Sequence, residues 1–150
     1  MITLHWTYQP FTELTLTELY TIMQLRAEVF VVEQNCVYQD ADEKDLLCYH
    51  LCGWDGGILV AYCRIMPPGL AYTEASIGRV LTAAAYRKNG TGRILMQKAI
   101  TETVQQFNCS QIIISAQLYL NKFYQSLDFK QISDIYLEDG IAHIKMLYTT

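Results

Sequence analysis

The sequence predicts an α/β fold of the α+β kind, in which helices cover both faces of a central mixed β-sheet. Two observations carry this prediction. Helix-like and strand-like segments follow one another in the order helix, β-meander, helix, strand, helix, hairpin. The strand between the last two helices, "QIIISA", is short, β-branched and apolar, as is typical of a strand that is buried on both faces.

The first helix begins at a capping box. In "LTLTEL", Thr15 is placed to cap the first turn and Glu18 follows three residues later. The helix is expected to run to about Val31, because its apolar residues recur at helical spacing. Those expected to face the core are Leu19, Ile22, Met23, Ala27 and Phe30. An acidic, turn-prone loop, "YQDADEKD", follows the helix.

Two hairpins and two more helices account for the rest of the chain. "LLCYHLCGW" and "ILVAYCRIM" flank "DGG", which predicts a β-hairpin that ends at Pro67 and Pro68. "ASIGRVLTA" is a further strand, and a helix is expected from about Thr91 to Phe107. The helix "LYLNKFYQSL" comes after "QIIISA", and "FKQISDIYL" and "IAHIKMLYT" then form a C-terminal hairpin around "EDG".

Composition and charge narrow the class of protein. A chain of 150 residues fits one domain, residues 1–150, and its 51% hydrophobic content supports a full core. It has neither an apolar run near the roughly 18 residues of a membrane span nor a signal-like N-terminus, so we expect a cytoplasmic protein with no membrane partner. The net charge of −4 argues against a nucleic-acid partner. Five cysteines, an odd number, are expected to be reduced, and a homodimer is left open.

The stretch "VLTAAAYRKNGTGRILMQ" contains the most informative motif. Gly90 and Gly92 lie where a strand gives way to a helix, although a glycine costs a helix about 1 kcal/mol relative to alanine. The first N–H groups of a helix lack intrahelical partners and its dipole favours an anion, so glycines there allow a phosphate to approach. The P-loop is excluded because Gly92 is not followed by lysine. The dinucleotide-binding fingerprint is excluded because Leu95 stands where it needs a third glycine.

The remaining pattern, Arg87-x-x-Gly90-x-Gly92, resembles the pyrophosphate loop of the GNAT superfamily of acetyl-CoA-dependent N-acetyltransferases. A second motif lies at the family's distance: "LNKFYQSLDF" carries Asn121 and an aromatic-Tyr pair on the helix after the next strand. Its closing turn has Leu127-Asp128 where Gly-Phe is usual, and aspartate adopts the left-handed conformation at modest cost. "LRAEVFVVEQ", "RVL", "AQLYLNKFYQS" and "EDGIAHIKM" look like the ElaA-like branch.

The resemblance implies an N-acetyltransferase that uses acetyl-CoA as co-substrate. Backbone N–H groups of the loop would hold the pyrophosphate, and the edge of the preceding strand would pair with the pantetheine arm. The implied coenzyme contacts are Val80, Leu81, Thr82, Arg87, Lys88, Asn89, Gly90, Thr91, Gly92, Arg93 and Asn121. The expected acceptor is a primary amine of a small molecule or peptide, which attacks directly in a ternary complex. The alternative is a non-catalytic acyl-CoA binder or sensor with the same site.

Acetyl transfer also needs an acid for the departing thiolate and a neutral amine. Tyr124 is the candidate acid, because a phenol with a reference pKa of about 10 stays protonated at neutral pH. Three titratable residues are candidates for the acceptor site: Glu33, His50 and His143. The sequence does not decide which of them, or a water chain, takes up the proton of the amine.

Two patterns suggest metal sites and are rejected on geometry. Cys48 and Cys52 flank His50 on one strand, but at roughly 3.3 Å per residue they lie about 13 Å apart, too far to share a zinc ion. "DADEKD" resembles a calcium loop but has Lys44 at the fifth position. We therefore expect no metal. The acidic loop is either a solvated surface or a patch that attracts a cationic amine, formed by Asp40, Asp42, Glu43 and Asp45.

Overall fold

Eight strands form one mixed sheet in the computed structural model, which describes residues 2–150. The strands are β1 (His5–Pro10), β2 (Tyr49–Asp55), β3 (Ile58–Met66), β4 (Ala75–Thr82), β5 (Gln111–Gln117), β6 (Phe129–Gln131), β7 (Tyr136–Glu138) and β8 (Ile141–Thr149). Their order is β1-β2-β3-β4-β5-β8-β6, and β7 pairs with the first residues of β8. Within the described residues only β4 and β5 pair in parallel, so the predicted mixed sheet is confirmed.

Helices cover both faces of the sheet, as predicted. The described part of the chain has α1 (Leu16–Arg26), α2 (Thr91–Phe107) and α3 (Asn121–Gln125). Residues of α2 and α3 share one apolar core with β5 and β8, and residues of α1 share a second core with β2 and β3. None of the helices within residues 2–150 combines the length and apolar character needed to cross a membrane.

The first helix starts as predicted and continues in a different form. Thr15 Oγ1 accepts from the Glu18 N–H at 3.0 Å, and Glu18 Oε1 accepts from the Thr15 N–H at 2.9 Å. After Arg26 the chain continues as a π-helix, Ala27–Glu33. The prediction that Ala27 faces the core was wrong, because its side chain is exposed. The wider π-helical repeat changes which positions face the sheet: Val29, which was not predicted, is buried, and the predicted burial of Phe30 is confirmed.

Three other elements differ from the prediction. The edge strand β1, which ends at Pro10, was not predicted, although Trp6 and Tyr8 alternate with polar residues as in a half-buried strand. The third helix is a 3₁₀ turn, Leu118–Leu120, followed by only five α-helical residues. The segment "FKQISDIYL" is split into β6 and β7, because the Ser133 hydroxyl accepts the Lys145 N–H at 2.8 Å in place of a backbone carbonyl.

The middle of the sheet is opened by an irregularity in β4. Arg64 of β3 pairs with Gly78 and Tyr62 pairs with Leu81, so β4 carries one extra residue between the two pairs. On the edge opposite β3, β4 pairs with β5 only at Ala75 and Ser76. From there to its end at residue 82, β4 has no β5 partner, and the end of β4 lies beside the start of α2, where Thr82 Oγ1 is 3.6 Å from the position of a Cβ at Gly92. The space beside this stretch of β4 is called the gap.

Candidate active site

The loop before α2 presents free backbone donors. The side-chain oxygen of Asn89 accepts from the Thr91 N–H at 3.2 Å and from the Thr91 hydroxyl at 2.6 Å, and so caps the first turn of α2. The N–H groups of Gly92 and Arg93 have no intrahelical acceptor because they also lie in the first turn. These donors sit at the positive end of the α2 dipole, an arrangement that suits an anion.

The two glycines of this loop meet different requirements. Gly90 has a φ of 86°, in the left-handed region that favours glycine, and its neighbour Lys88 has a φ of 66°. Gly92 has no such φ, and an added Cβ there would lie 3.6 Å from Thr82 Oγ1 and 3.9 Å from Phe123 Cζ, which are ordinary contact distances. The protein's own conformation therefore requires glycine at position 90 only. At position 92 the missing side chain leaves room beside the free N–H groups.

Arg87 connects Thr82, which the sequence assigned to the coenzyme site, with Glu33, which it assigned to the acceptor site. Its Nε donates to the Thr82 carbonyl at 3.0 Å, and its Nη2 donates to Glu33 Oε2 at 2.9 Å, while Nη1 contacts the other carboxylate oxygen. This hydrogen-bonded guanidinium lowers the pKa of Glu33. Glu33 is the last residue of the π-helix, so the ion pair ties that helix to the glycine loop.

The end of β4 places its side chains in both cores and leaves the β5 side of its backbone without a strand partner. Leu81 is buried in the core of α1, whereas Val80 packs against the core of α2. The backbone of Val80, Leu81 and Thr82 lies beyond the last β5 pair at Ser76. At the start of α2, the guanidinium of Arg93 lies over the Phe123 ring, 5.9 Å from its centroid.

Asn121 and Tyr124 lie at the start of α3. Asn121 Oδ1 is buried and has no hydrogen-bond partner within the described residues. The Tyr124 ring is 5% exposed and meets Phe123 and Phe129 edge to face, at centroid distances of 5.1 and 5.8 Å. Burial raises the pKa of Tyr124 well above that of a free phenol, with smaller contributions from Cys63 and Tyr119. The hydroxyl is therefore protonated at neutral pH.

His50 lies away from this gap, in the interior. Its ring is 1% exposed. Nε2 donates to the Asp45 carbonyl at 3.0 Å, and Nδ1 accepts from the Tyr62 hydroxyl at 2.7 Å. Burial lowers the pKa of His50, so the ring is neutral. With both nitrogens engaged, His50 has none to offer an acceptor, which corrects the expectation that it lines the acceptor site.

The acidic loop is neither a solvated surface nor an amine trap. Asp40 accepts from Arg26 and from Arg79, each at 2.7 Å. Asp45 accepts from Arg26 at 2.7 Å and from Arg64 at 3.0 Å. These carboxylates are turned inward onto arginines of α1, β3 and β4. Asp42 also contacts Arg64 at 2.7 Å, and Glu43 is exposed. Both sequence-based interpretations of the loop were wrong.

His143 belongs to a polar cluster on the face of the sheet opposite α2. Its Nδ1 donates to the Ile141 carbonyl at 2.7 Å, so Nε2 is the ring nitrogen that remains for another partner. Nε2 lies 3.4 Å from Glu138 Oε2, and Tyr136 stacks on the ring. Ser115 hydrogen-bonds to Tyr136 and, at 3.3 Å, to Glu138. The cluster joins the β5 edge of the gap to β7 and β8.

Gln34 connects the end of the π-helix to β5. Its side-chain oxygen accepts from Gln117 Nε2 at 3.4 Å, and Gln117 pairs with His143 across β5 and β8. Glu33, the preceding residue, holds Arg87 beyond the end of β4. Gln34 thus contacts β5 on one side of the gap, and Glu33 contacts Arg87 next to the end of β4 on the other side.

A family model described as an "Acetyltransferase (GNAT) domain" matches residues 19–150. The chain belongs to the GNAT acetyltransferase family. A UPF0039 protein of Schizosaccharomyces pombe is 45% identical over 97% of both chains, and protein ElaA of Escherichia coli is 39% identical over 95% of both. A crystal structure described as an acyl-CoA N-acyltransferase from Pseudomonas aeruginosa has a TM-score of 0.93 and 40% identity, covering 98% of this chain and all of that one. The predicted ElaA-like branch is confirmed.

This GNAT protein is accordingly an acyltransferase, and its family uses an acyl-CoA as co-substrate. The orphaned Asn121 oxygen and the free N–H groups at the start of α2 suit the amide and phosphate groups of a coenzyme A ester. Across the described positions, no three His, Cys, Asp or Glu side chains converge in the way that ligands of a metal ion do.

Sequence reasoning named residues of the glycine loop, β4 and α3, and did not name most of the polar cluster on the opposite face of the sheet. Gln34, Gln117, Ser115, Tyr136 and Glu138 were not candidates. They come from three segments that no local pattern connects: the residue after the π-helix, β5 and β7. The β5–β8 and β7–β8 registers bring the two strands together. One signal was available in the sequence. Glu138, which follows "FKQISDIYL", is the only carboxylate that the described strands of the C-terminal hairpin place beside His143.

Proposed function

We propose that the protein transfers the acetyl group of acetyl-CoA directly to a primary amine of a small molecule or peptide, in a ternary complex. The observation that carries the proposal is the unpaired edge of β4, which leads from the middle of the sheet to the free N–H groups of α2. A pantetheine arm can add to such an edge as a strand does, with its pyrophosphate at the helix N-terminus.

On the donor side, the backbone of the loop and of β4 does most of the binding. The N–H groups of Gly92 and Arg93 hold phosphate oxygens, and Val80 to Thr82 offer backbone groups to the pantetheine amides. Asn121 contributes its unpaired side-chain oxygen. Lys88 and Arg93 supply positive charge around the phosphates, while the charge of Arg87 is balanced by Glu33.

The interior below the gap favours a short acyl group. Cys63, Ala116 and Tyr124 are buried, with 0%, 2% and 5% of their surfaces exposed, and belong to one tightly packed core. Close-packed side chains of this kind leave little space for a long hydrocarbon chain. This packing supports acetyl-CoA as the donor.

Direct transfer is supported by the state of the three buried thiols. Cys63 is completely buried near Tyr124, and burial raises its pKa far above that of a free thiol. Burial also raises the pKa values of Cys48 and Cys52 to about 12. Protonated, buried thiols are poor nucleophiles, so none of the three suits an acyl-enzyme intermediate.

In this reaction Tyr124 donates its phenolic proton to the leaving sulfur. Glu33 and His143 lie on the acceptor side, where the free lone pair on Nε2 of His143 takes the proton of the incoming ammonium and Glu138 stabilises the imidazolium. The amine nitrogen then attacks the thioester carbon, and its second proton returns the phenol of Tyr124 to its starting state.

The test is a panel of primary amines with acetyl-, butyryl- and octanoyl-CoA, followed by release of the free thiol and by the mass of the product. The proposal expects acetylated product from at least one amine, with acetyl-CoA used best. Thiol release without an acylated amine, or a preference for octanoyl-CoA, would contradict the proposal.

A further inference from the structure

Arg79 has a backbone conformation that is rare for its residue type. It is the first of the two β4 residues opposite Cys63, and its φ is 50°, in the left-handed region. In bulges of this geometry the left-handed position usually belongs to glycine, which has no Cβ to clash. A glycine, Gly78, stands one residue earlier, where φ is not in that region. The chain thus keeps an arginine at a position that is strained for it.

The Arg79 side chain has contacts that offset this strain. Nε donates to Asp40 Oδ1 at 2.7 Å, and Nη2 donates to the Asp40 carbonyl at 2.9 Å. The guanidinium also lies over the Tyr38 ring, 5.8 Å from its centroid. A two-point grip on one residue fixes both the position and the direction of the guanidinium, which a single contact would not do.

Asp40 is itself held from the opposite side. Its Oδ2 accepts from Nε of Arg26 at 2.7 Å, and its carbonyl also accepts from Arg26 at 3.2 Å. Arg26 is fully buried at the end of α1 and is anchored a second time by Asp45. The bulge in β4 is therefore tied through Asp40 to the end of α1, a rigid part of the molecule.

The location of the bulge connects it with the donor site. A bulge bends its strand and interrupts pairing. The β4–β5 pairs stop at Ser76, ahead of the bulge at Arg79 and Val80, and the edge without a β5 partner runs through the bulge to Thr82. Cys63, opposite the bulge, is also a neighbour of Tyr124 in the same core. The bulge thus sets the direction of the edge relative to Tyr124 and α2.

We propose that Arg79 is a positioning residue. Through its two hydrogen bonds to Asp40 it fixes the conformation of the β4 bulge, and it thereby orients the strand edge that binds the acyl donor. This inference rests on the proposed function, in which that edge binds acetyl-CoA. Arg79 touches neither donor nor acceptor in this account, so its removal acts on donor affinity through the backbone of residues 80–82.

The experiment compares acetyl-CoA affinity by calorimetry with the melting temperature in four proteins: wild type, Arg79→Lys, Arg79→Gly and Asn108→Ala. Lysine keeps the charge but not the two-point grip. Glycine accepts the left-handed φ without strain but removes the grip altogether. Asn108 ends α2 with a φ of 47°, so Asn108→Ala introduces comparable backbone strain far from β4 and controls for a general loss of stability.

We expect Arg79→Gly to bind acetyl-CoA on the order of tenfold more weakly than wild type, and Arg79→Lys to fall between them. Asn108→Ala should lower the melting temperature and leave affinity unchanged. Unchanged affinity in both Arg79 variants would overturn the inference, as would an equal loss in Asn108→Ala. A wild-type protein that does not bind acetyl-CoA would contradict the proposed function instead. If Arg79→Gly does not fold, Arg79→Lys decides the question alone.

Discussion

At the scale of single residues, some groups of the site are required by the fold. Others have no role in the fold, and only a bound ligand explains why they are there. Gly90 is required by its own backbone, whose φ is 86°. Gly92 and the Asn121 oxygen are not explained by the protein, because one tolerates a Cβ and the other is buried without a partner. Residues of the second kind are the sharpest probes of function, since changing them leaves the fold intact.

Gly92→Ala is expected to separate coenzyme binding from stability. The added Cβ makes only ordinary contacts, and alanine in the first turn of α2 is favoured over glycine by up to about 1 kcal/mol, so the melting temperature should hold or rise. The same methyl group stands beside the free N–H groups. Charge-assisted hydrogen bonds of about 1.5–3 kcal/mol each are at stake, so acetyl-CoA affinity should fall roughly tenfold or more.

The control for this change is Gly57→Ala, in the β2–β3 turn, where an added Cβ meets nothing within 4 Å and, as at Gly92, φ is not left-handed. It should leave calorimetric affinity unchanged. Equal affinity in Gly92→Ala and wild type would show that no phosphate approaches this backbone. Gly90 is less informative, because any side chain there strains the loop.

Tyr124→Phe tests the role of the hydroxyl alone. The ring keeps its contacts with Phe123 and Phe129, so stability and acetyl-CoA affinity should be preserved. Turnover should fall by about 10²–10⁴, the usual range for loss of a general acid. Normal turnover in a stable Phe variant would assign Tyr124 to packing, and steady-state kinetics with the best amine of the panel provides the measurement.

At the scale of elements, the segment from α1 to β2 carries the largest correction to the sequence-based account. Its acidic residues read locally as a surface loop, yet Asp40 and Asp45 are buried against Arg26, Arg64 and Arg79. Each arginine lies on a different element, so the pairing depends on tertiary structure that local patterns do not encode. The same network encloses His50 and leaves it neutral.

This network predicts a loss of stability in acid that occurs in two steps. The pKa of His50 is lowered in the folded protein, so the unfolded chain binds its proton first and the free energy of unfolding falls as pH drops below about 6.5. The pKa values of Asp42 and Asp45 are also lowered, so a second loss begins as pH falls below about 4.

Urea midpoints of wild type and His50→Gln, measured from pH 8 to pH 3, test both steps. Glutamine offers a donor and an acceptor for Asp45 and Tyr62 but does not titrate, so the step below about pH 6.5 should disappear while the step near pH 4 stays. A first step of equal size in His50→Gln would assign it to another group.

At the scale of the whole molecule, the features that could be predicted are those that depend on residues close together in the sequence. The capping box at Thr15, the span of α2 and the left-handed turn at Asp128, with a φ of 71°, were all predictable from local chemistry. The open β4 edge was expected only through the family resemblance, because it depends on where β4 stops pairing with β5, which local chemistry does not determine. His50 and His143 looked alike in the sequence, and only strand register put one inside the arginine network and the other beside Glu138.

The central claim, that acetyl-CoA and the amine react while both are bound, is tested most directly by initial rates with both substrates varied. The amine is the best acceptor from the panel, and acetyl-CoA is varied at several fixed amine concentrations. Direct transfer predicts double-reciprocal lines that intersect, since both substrates are present when Tyr124 gives up its proton. Parallel lines, together with an acylated protein detected by mass, would contradict it.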